Sequence, residues 1–317
     1  MEFSFYTIAV AVAKLFVLMA VGYILYLRKA IDEKFTDVLS LILIRVIFPA
    51  LIISKTTTFF SFNEYKFWWL LPLAAVIFSL SGMALSTVFR RFLKGFIPFK
   101  EFMCVCGFQN CGYLPMNLIL FSFAGMLGNR LLVYLFLFIM GFNLLMWSFV
   151  PFFLSGSFKN KMGLGVFLNP PVVATIFSLL WVAFMGKASM PAVIADPVKQ
   201  LGLAAFPLAM LTLGAYLCKY RGYRPRNKRP LVISVFTKLF LFPALVFGVL
   251  VCAPLSYDYK FFLFLQSIMP TAVSLVVVGS YTGADNEFFS SVIFYTHLIA
   301  VFSIPLWLSV FKLVVQS

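Results

Sequence analysis

Acidic side chains are scarce in this sequence, and none lies near the middle of an apolar run. All ten (Glu2, Asp32, Glu33, Asp37, Glu64, Glu101, Asp196, Asp258, Asp285 and Glu287) fall at the edges of such runs or between them. That pattern excludes the facing acids of an intramembrane aspartyl protease. It also argues against the membrane carboxylate pair of a proton- or sodium-coupled carrier. Histidine is scarcer still, with His297 the single example. There is no His-Glu-x-x-His and no Gly-x-Ser-x-Gly, so neither a metalloprotease nor a serine hydrolase is indicated. The five cysteines sit in or beside apolar segments and share no metal-ligand spacing with the histidine. They read as small packing residues, and no metal or cofactor is expected. The amino-terminal stretch also lacks the basic start and small-residue cleavage site of a removable signal, and reads as a first membrane span.

What is present is overwhelmingly apolar. The 317 residues are 63% hydrophobic and 19% aromatic, with a mean hydropathy of +1.03. A chain of this kind has lipid as its main solvent. At about 20 apolar residues per crossing, ten spans are expected, at roughly 5–27, 36–54, 67–89, 101–125, 131–154, 165–186, 197–218, 230–253, 259–282 and 288–312. No connection is long enough for a soluble domain.

The net charge of +15 does not signal nucleic acid, because the cations sit between spans. With the amino terminus outside, fifteen of the 25 Lys and Arg residues fall in inner loops and seven in outer ones. The inner set includes Lys159, Lys161 and the run from Lys219 to Arg229, a loop suited to anionic lipid. This imbalance predicts that both termini are extracytoplasmic.

Two spans carry a polar interruption. In the fourth, Gln109, Asn110, Gly112 and Pro115 fall within seven residues of an otherwise apolar stretch. In the ninth, Gln266, Ser267, Pro270 and Thr271 do the same. Non-helical backbone at membrane depth is tolerated only where protein buries it or a cavity lines it. Paired interruptions at matching places in two halves point to a transporter's midplane binding site. The halves correspond in order: Phe48-Pro49-Ala50-Leu51 in span 2 against Phe206-Pro207-Leu208-Ala209 in span 7, and the two breaks in spans 4 and 9. Five spans per copy is an odd number, so the second copy must be inverted.

These interruptions supply the candidate site residues. Gln109, Asn110 and Gln266 bring amides, and Thr271 a hydroxyl. Pro115 and Pro270 set the breaks, since proline has no N–H to donate. The exposed amino-terminal ends of the half-helices favour anions. Three cations, Lys14, Arg45 and Lys238, lie within spans. For Arg45 the reading is snorkelling or pairing with a carbonyl; Lys238 is open between a structural and a substrate-facing role, and Lys14 ranks below it. His297 reads as hydrogen-bonded packing, with a proton relay as the lesser alternative. Asn143 reads as a link between helices.

Read in order, Gly107-Phe108-Gln109-Asn110-Cys111-Gly112-Tyr113-Leu114-Pro115, Asn169-Pro170-Pro171, Phe206-Pro207-Leu208-Ala209 with Leu213-Gly214, and Met269-Pro270-Thr271-Ala272 with Tyr281, Asp285 and Ser303-Ile304-Pro305-Leu306 resemble the auxin efflux carrier family. The resemblance covers essentially the whole chain and is to the compact bacterial type of permease. It implies an all-α integral membrane fold of ten transmembrane helices, arranged as two inverted five-helix repeats with broken crossover helices, as in bile-acid symporters and sodium–proton antiporters. The repeats would be 1–154 and 155–317, with spans 1–2 and 6–7 forming a scaffold and spans 3–5 and 8–10 a moving transport unit. The function implied is that of a secondary carrier for a small organic anion, such as an indole-type carboxylate or a small dicarboxylate, in the plasma membrane. Because the membrane potential drives an anion outward, efflux needs no coupling ion. The alternative is a membrane sensor or channel that keeps the fold. The expected partners are the anion and the lipid bilayer, with a homodimer as a further expectation and no nucleic acid.

Overall fold

A backbone in lipid must satisfy its own hydrogen bonds, and helices do so within one segment. A computed structural model of the chain describes residues 5–123, 125–156, 169–223 and 227–315, and these are helical, without β-strands. Among them ten crossings follow in order. Seven helices are long and apolar enough to cross a bilayer; an eighth crossing, Pro170–Met185, is shorter. The fourth and ninth crossings are each divided, into Phe99–Gly107 with Tyr113–Ser122 and into Tyr257–Ser267 with Ser274–Thr282. Lys159, Lys161, Arg224, Arg226 and the expected head of the sixth span, 165–168, lie outside the described residues.

Helix ends extend past the apolar limits. The second crossing runs from Glu33 to Phe59, where periodicity gives 36–54. Its start is set by Asp32, whose carboxylate accepts from the Phe35 N–H at 2.8 Å and caps the first turn. The eighth begins at Lys228 under a similar cap from Asn227. Within three crossings one turn widens to π geometry, at Leu43–Ile47, Leu145–Phe149 and Thr237–Leu241. Each lies just ahead of a proline: Pro49, Pro151 and Pro243. Proline cannot donate to the carbonyl four residues back and its ring crowds that carbonyl; the wider turn absorbs the mismatch.

Packing sorts the spans into neighbours. Spans 1 and 7 lie together along their lengths, and span 2 packs on spans 6 and 7. Span 3 packs on span 5 and on the leading half of span 4, while span 8 packs on span 10 and the leading half of span 9. Small residues bring backbones into contact, as expected where lipid removes the usual hydrophobic drive between helices. A Cβ placed on Gly214 would lie 1.9 Å from the Met19 carbonyl oxygen, and one on Gly22 would lie 2.0 Å from that of Leu211. The leading half of span 4 meets span 3 in the same way: a Cβ on Gly107 would lie 2.7 Å from the Ser79 oxygen.

Candidate functional site at the crossing of two broken helices

Each interrupted crossing frees backbone groups that lipid cannot satisfy, and the two breaks satisfy one another. The Asn110 N–H donates to the Pro270 carbonyl at 2.7 Å, and the Ala272 N–H donates to the Phe108 carbonyl at 3.0 Å. Gln109 and Thr271 thereby face each other as one antiparallel bridge between spans 4 and 9. Pro270 sits here without an orphaned donor because it has none. Pro115 is the third residue of its half-helix, in the first turn, where an N–H would lack a helical acceptor anyway.

The ends of the half-helices differ in what meets them. The carboxyl end of Phe99–Gly107 presents carbonyls, and two side chains cover them. Thr271 Oγ1 donates to the Val105 carbonyl at 3.1 Å and Lys238 Nζ to the Cys106 carbonyl at 3.3 Å. Lys238 has no exposed surface, and its ammonium also lies 5.2 Å from the Phe242 ring centroid. A charge at mid-helix in lipid costs about 2.5–3.5 kcal/mol. A hydrogen bond to a charged group, at about 1.5–3 kcal/mol, with the negative end of a helix dipole beside it, largely offsets that. Thr271 N–H in turn donates to Thr296 Oγ1 at 3.3 Å.

The amino ends lie over a cavity of about 120 Å³. That is room for several waters or a small carboxylic acid, since one water needs roughly 10–15 Å³ on this measure. Cys111, Gly112 and Tyr113 bring one amino end to it, and Ala272, Val273 and Ser274 the other. Neither Gly112 nor Val273 caps its helix with a side-chain bond. Uncapped N–H groups at such ends carry partial positive charge. Gln109, Asn110, Asn143 and Asn169 add carboxamides, and Phe48, Phe136, Phe142 and Trp147 add aromatic surface. No carboxylate and no cation is among the described lining residues.

The polar groups differ in how they are held. Asn110 Nδ2 lies 2.9 Å from His297 Nε2, and the other ring nitrogen, Nδ1, lies 2.8 Å from the Ile293 carbonyl oxygen. The Tyr113 hydroxyl lies 3.2 Å from that of Ser40. Both polar side-chain atoms of Gln109, both of Gln266 and the Asn169 oxygen are buried without a hydrogen-bond partner among the described residues.

Of the sequence candidates, the cavity gathers Gln109, Asn110 and Asn143. Pro115 and Pro270 shape the backbone beside it. Gln266, Thr271 and Lys238 are buried at the crossing but do not line it. Arg45 is exposed on span 2, and Lys14 is exposed on span 1 with its ammonium 5.4 Å from the Phe121 ring centroid. His297 joins the site through Asn110. Trp147 and Phe142, one turn and less from Asn143 on span 5, were not legible as site residues, because an unbroken apolar helix gives no sign of which face meets a cavity. Asn169 carries no sequence signal beyond its place in an Asn-Pro-Pro run.

Two divided crossings that meet above an amide-bearing cavity in a many-span helical body define a multi-pass membrane transport protein. The chain belongs to the membrane transport protein family, that of the auxin efflux carriers, which it matches over residues 7–162 and 156–308. Among curated relatives it is similar to PIN-LIKES 2 of Arabidopsis thaliana, 26% identical over 165 residues. It is also similar to PIN-LIKES 6 of the same plant, 27% identical over 164 residues. Each alignment covers 47% of this chain, but only 36% and 38% of the respective relatives.

Proposed function

We propose that the protein carries a small organic anion through the cavity at the crossing. The observation that carries this reading is the convergence of two uncapped half-helix amino ends on a space with no carboxylate among its described lining. Such ends attract negative charge at no cost in buried ionised side chains. The aromatic lining favours an aryl carboxylate, of which an indole-type acid is an example, over a small dicarboxylate. Lys238 supports the site at one remove, holding the end of the half-helix that leads into the break.

The packing supports a division of labour between spans 1, 2, 6 and 7 as a scaffold and spans 3–5 and 8–10 as the moving unit. The two units are drawn from inverted halves, 1–154 and 155–317. Movement of the second against the first would expose the cavity alternately to either side. The surplus of inner-loop cations supports extracytoplasmic termini in a plasma membrane, and a homodimer through the scaffold is the assembly this division suits. An inside-negative potential contributes about 2.3 kcal/mol per charge per 100 mV, so efflux of a monoanion runs without a coupling ion.

The test is flux of radiolabelled indole-3-acetate in proteoliposomes clamped with potassium and valinomycin. A 100 mV step should shift the equilibrium distribution of the anion by about fiftyfold. Flux that ignores the potential and follows a proton gradient would refute the uncoupled mechanism.

A further inference from the structure

His297 and Asn110 stand 187 positions apart in sequence and meet at 2.9 Å in the buried interior. The hydrogen-bond chain through them has one consistent assignment for a neutral ring. The Ile293 carbonyl can only accept, so Nδ1, 2.8 Å away, carries the ring's proton. Nε2 is then an acceptor, and the Asn110 amide nitrogen must donate to it. Turning the Asn110 amide over would set its oxygen against an unprotonated nitrogen. The imidazole therefore fixes the amide, and Asn110 Oδ1 makes no hydrogen bond to the described residues. Asn110 lines the cavity, and this oxygen is the acceptor of its side chain left without a partner among the described residues.

The site thus presents two unlike faces within three residues of chain. At Cys111, Gly112 and Tyr113 the uncapped helix end offers N–H donors, which suit a carboxylate. At Asn110 the fixed amide offers an acceptor, which a carboxylate cannot use. We propose that the cavity selects an organic anion that also carries a hydrogen-bond donor, an N–H or O–H, and that His297 is the positioning residue that imposes this selection. Asn110 touches the ligand; His297 acts through Asn110. This rests on the anion-carrier reading and narrows its substrate class.

A pair of probes isolates the donor. Indole-3-acetate carries a ring N–H, and 1-benzothiophene-3-acetate has nearly the same shape with sulfur in its place. In proteoliposomes the wild-type protein should take the indole with a KM about tenfold lower, the effect of one neutral hydrogen bond. His297→Leu frees the amide, and the two KM values should converge, whereas a merely structural defect would degrade both probes alike. Equal KM values in the wild type, or an unchanged ratio in His297→Leu, overturn the proposal while leaving an anion carrier in place. Transport of neither probe overturns the carrier reading and this one with it. A second measurement needs no variant. His297 is the only histidine, so ¹⁵N-histidine labelling of protein purified without a histidine tag reports a single ring. The expected signal is the Nδ1–H tautomer; an Nε2–H tautomer overturns the proposal.

Discussion

The two breaks are joined by a shared pair of backbone bonds, yet they face different ways. The first, at 108–112, brings two amide-bearing residues to the cavity: Gln109 and Asn110 both line it. The second, at 268–273, brings Ala272 and Val273 to it, while Thr271, and Gln266 just before the break, are buried away from the cavity. Their amino ends differ as well. In the second, the N–H groups of Leu275 and Val276 are already tied to Ala272 and Val273 in tight turns, at 3.3 and 3.2 Å. In the first, the earliest bond recorded after the break is from Met116 to Gly112, at 3.1 Å. Both amino ends face the cavity, but the first brings two side-chain amides with it and the second none. The two breaks thus differ at the level of single hydrogen bonds.

That contrast can be broken most forcefully at Gly107. Its backbone lies against span 3 so closely that Gly107→Val should cost about 1–3 kcal/mol or more through overpacking. Ser267, which ends the corresponding half-helix, already carries a side chain bonded to the Phe264 carbonyl, and Ser267→Val should cost less than half as much. Thermal unfolding in detergent compares the two, and equal losses would show that the first break is not the tighter one.

Next in size is the effect on transport. Asn110→Leu should lower transport efficiency about ten- to hundredfold, by removing one or two ligand hydrogen bonds of about 0.5–1.5 kcal/mol each and leaving other groups unpaired. Thr271→Val should do the opposite, leaving KM near wild type and lowering stability by about 1 kcal/mol. A change of KM in Thr271→Val as large as that in Asn110→Leu would undo the distinction between the breaks.

Lys238→Met should move the unfolding temperature by only a few degrees. It strips the Cys106 carbonyl of its partner, a cost of about 1–3 kcal/mol, but also removes a buried charge worth a similar penalty. A loss of substrate affinity of tenfold or more, with unfolding unchanged, would instead put the ammonium in contact with the ligand. The smallest effect is expected at Gln266, whose amide has no partner among the described residues. Gln266→Leu should be neutral or slightly stabilising, and transport should persist, while Gln109→Leu in the cavity wall should impair it.

How much of this was legible in the sequence follows from what each feature depends on. The breaks were legible because proline and amides inside an apolar run leave backbone groups that only a special environment can satisfy, and that signal is local. The ten crossings were legible for the same reason, since their length is set by the bilayer. Their ends were less so: Asp32 and Asn227 start helices outside the apolar limits by capping them, and Glu33 and Lys34 ride on the helix beyond its apolar stretch. The partner of Lys238 was not legible, because a carbonyl on another span leaves no mark in sequence. Nor was the role of Asn143, which depends on the rotation of span 5 about its own axis. His297 reads as ordinary packing until the bond to Asn110 is seen.

The mutual backbone bonds of the breaks also bear on how the protein is made. Asn110 N–H has its acceptor at Pro270, about 160 residues later in the chain. At roughly 5–20 residues per second of synthesis, the first break waits on the order of ten to thirty seconds for the strand that completes it. During that interval the fourth span is a half-finished membrane segment with polar backbone open to its surroundings. It must be sheltered by the insertion machinery, by water or by spans 1–3, and the first half alone should be recognised by the cell's quality control as unfinished.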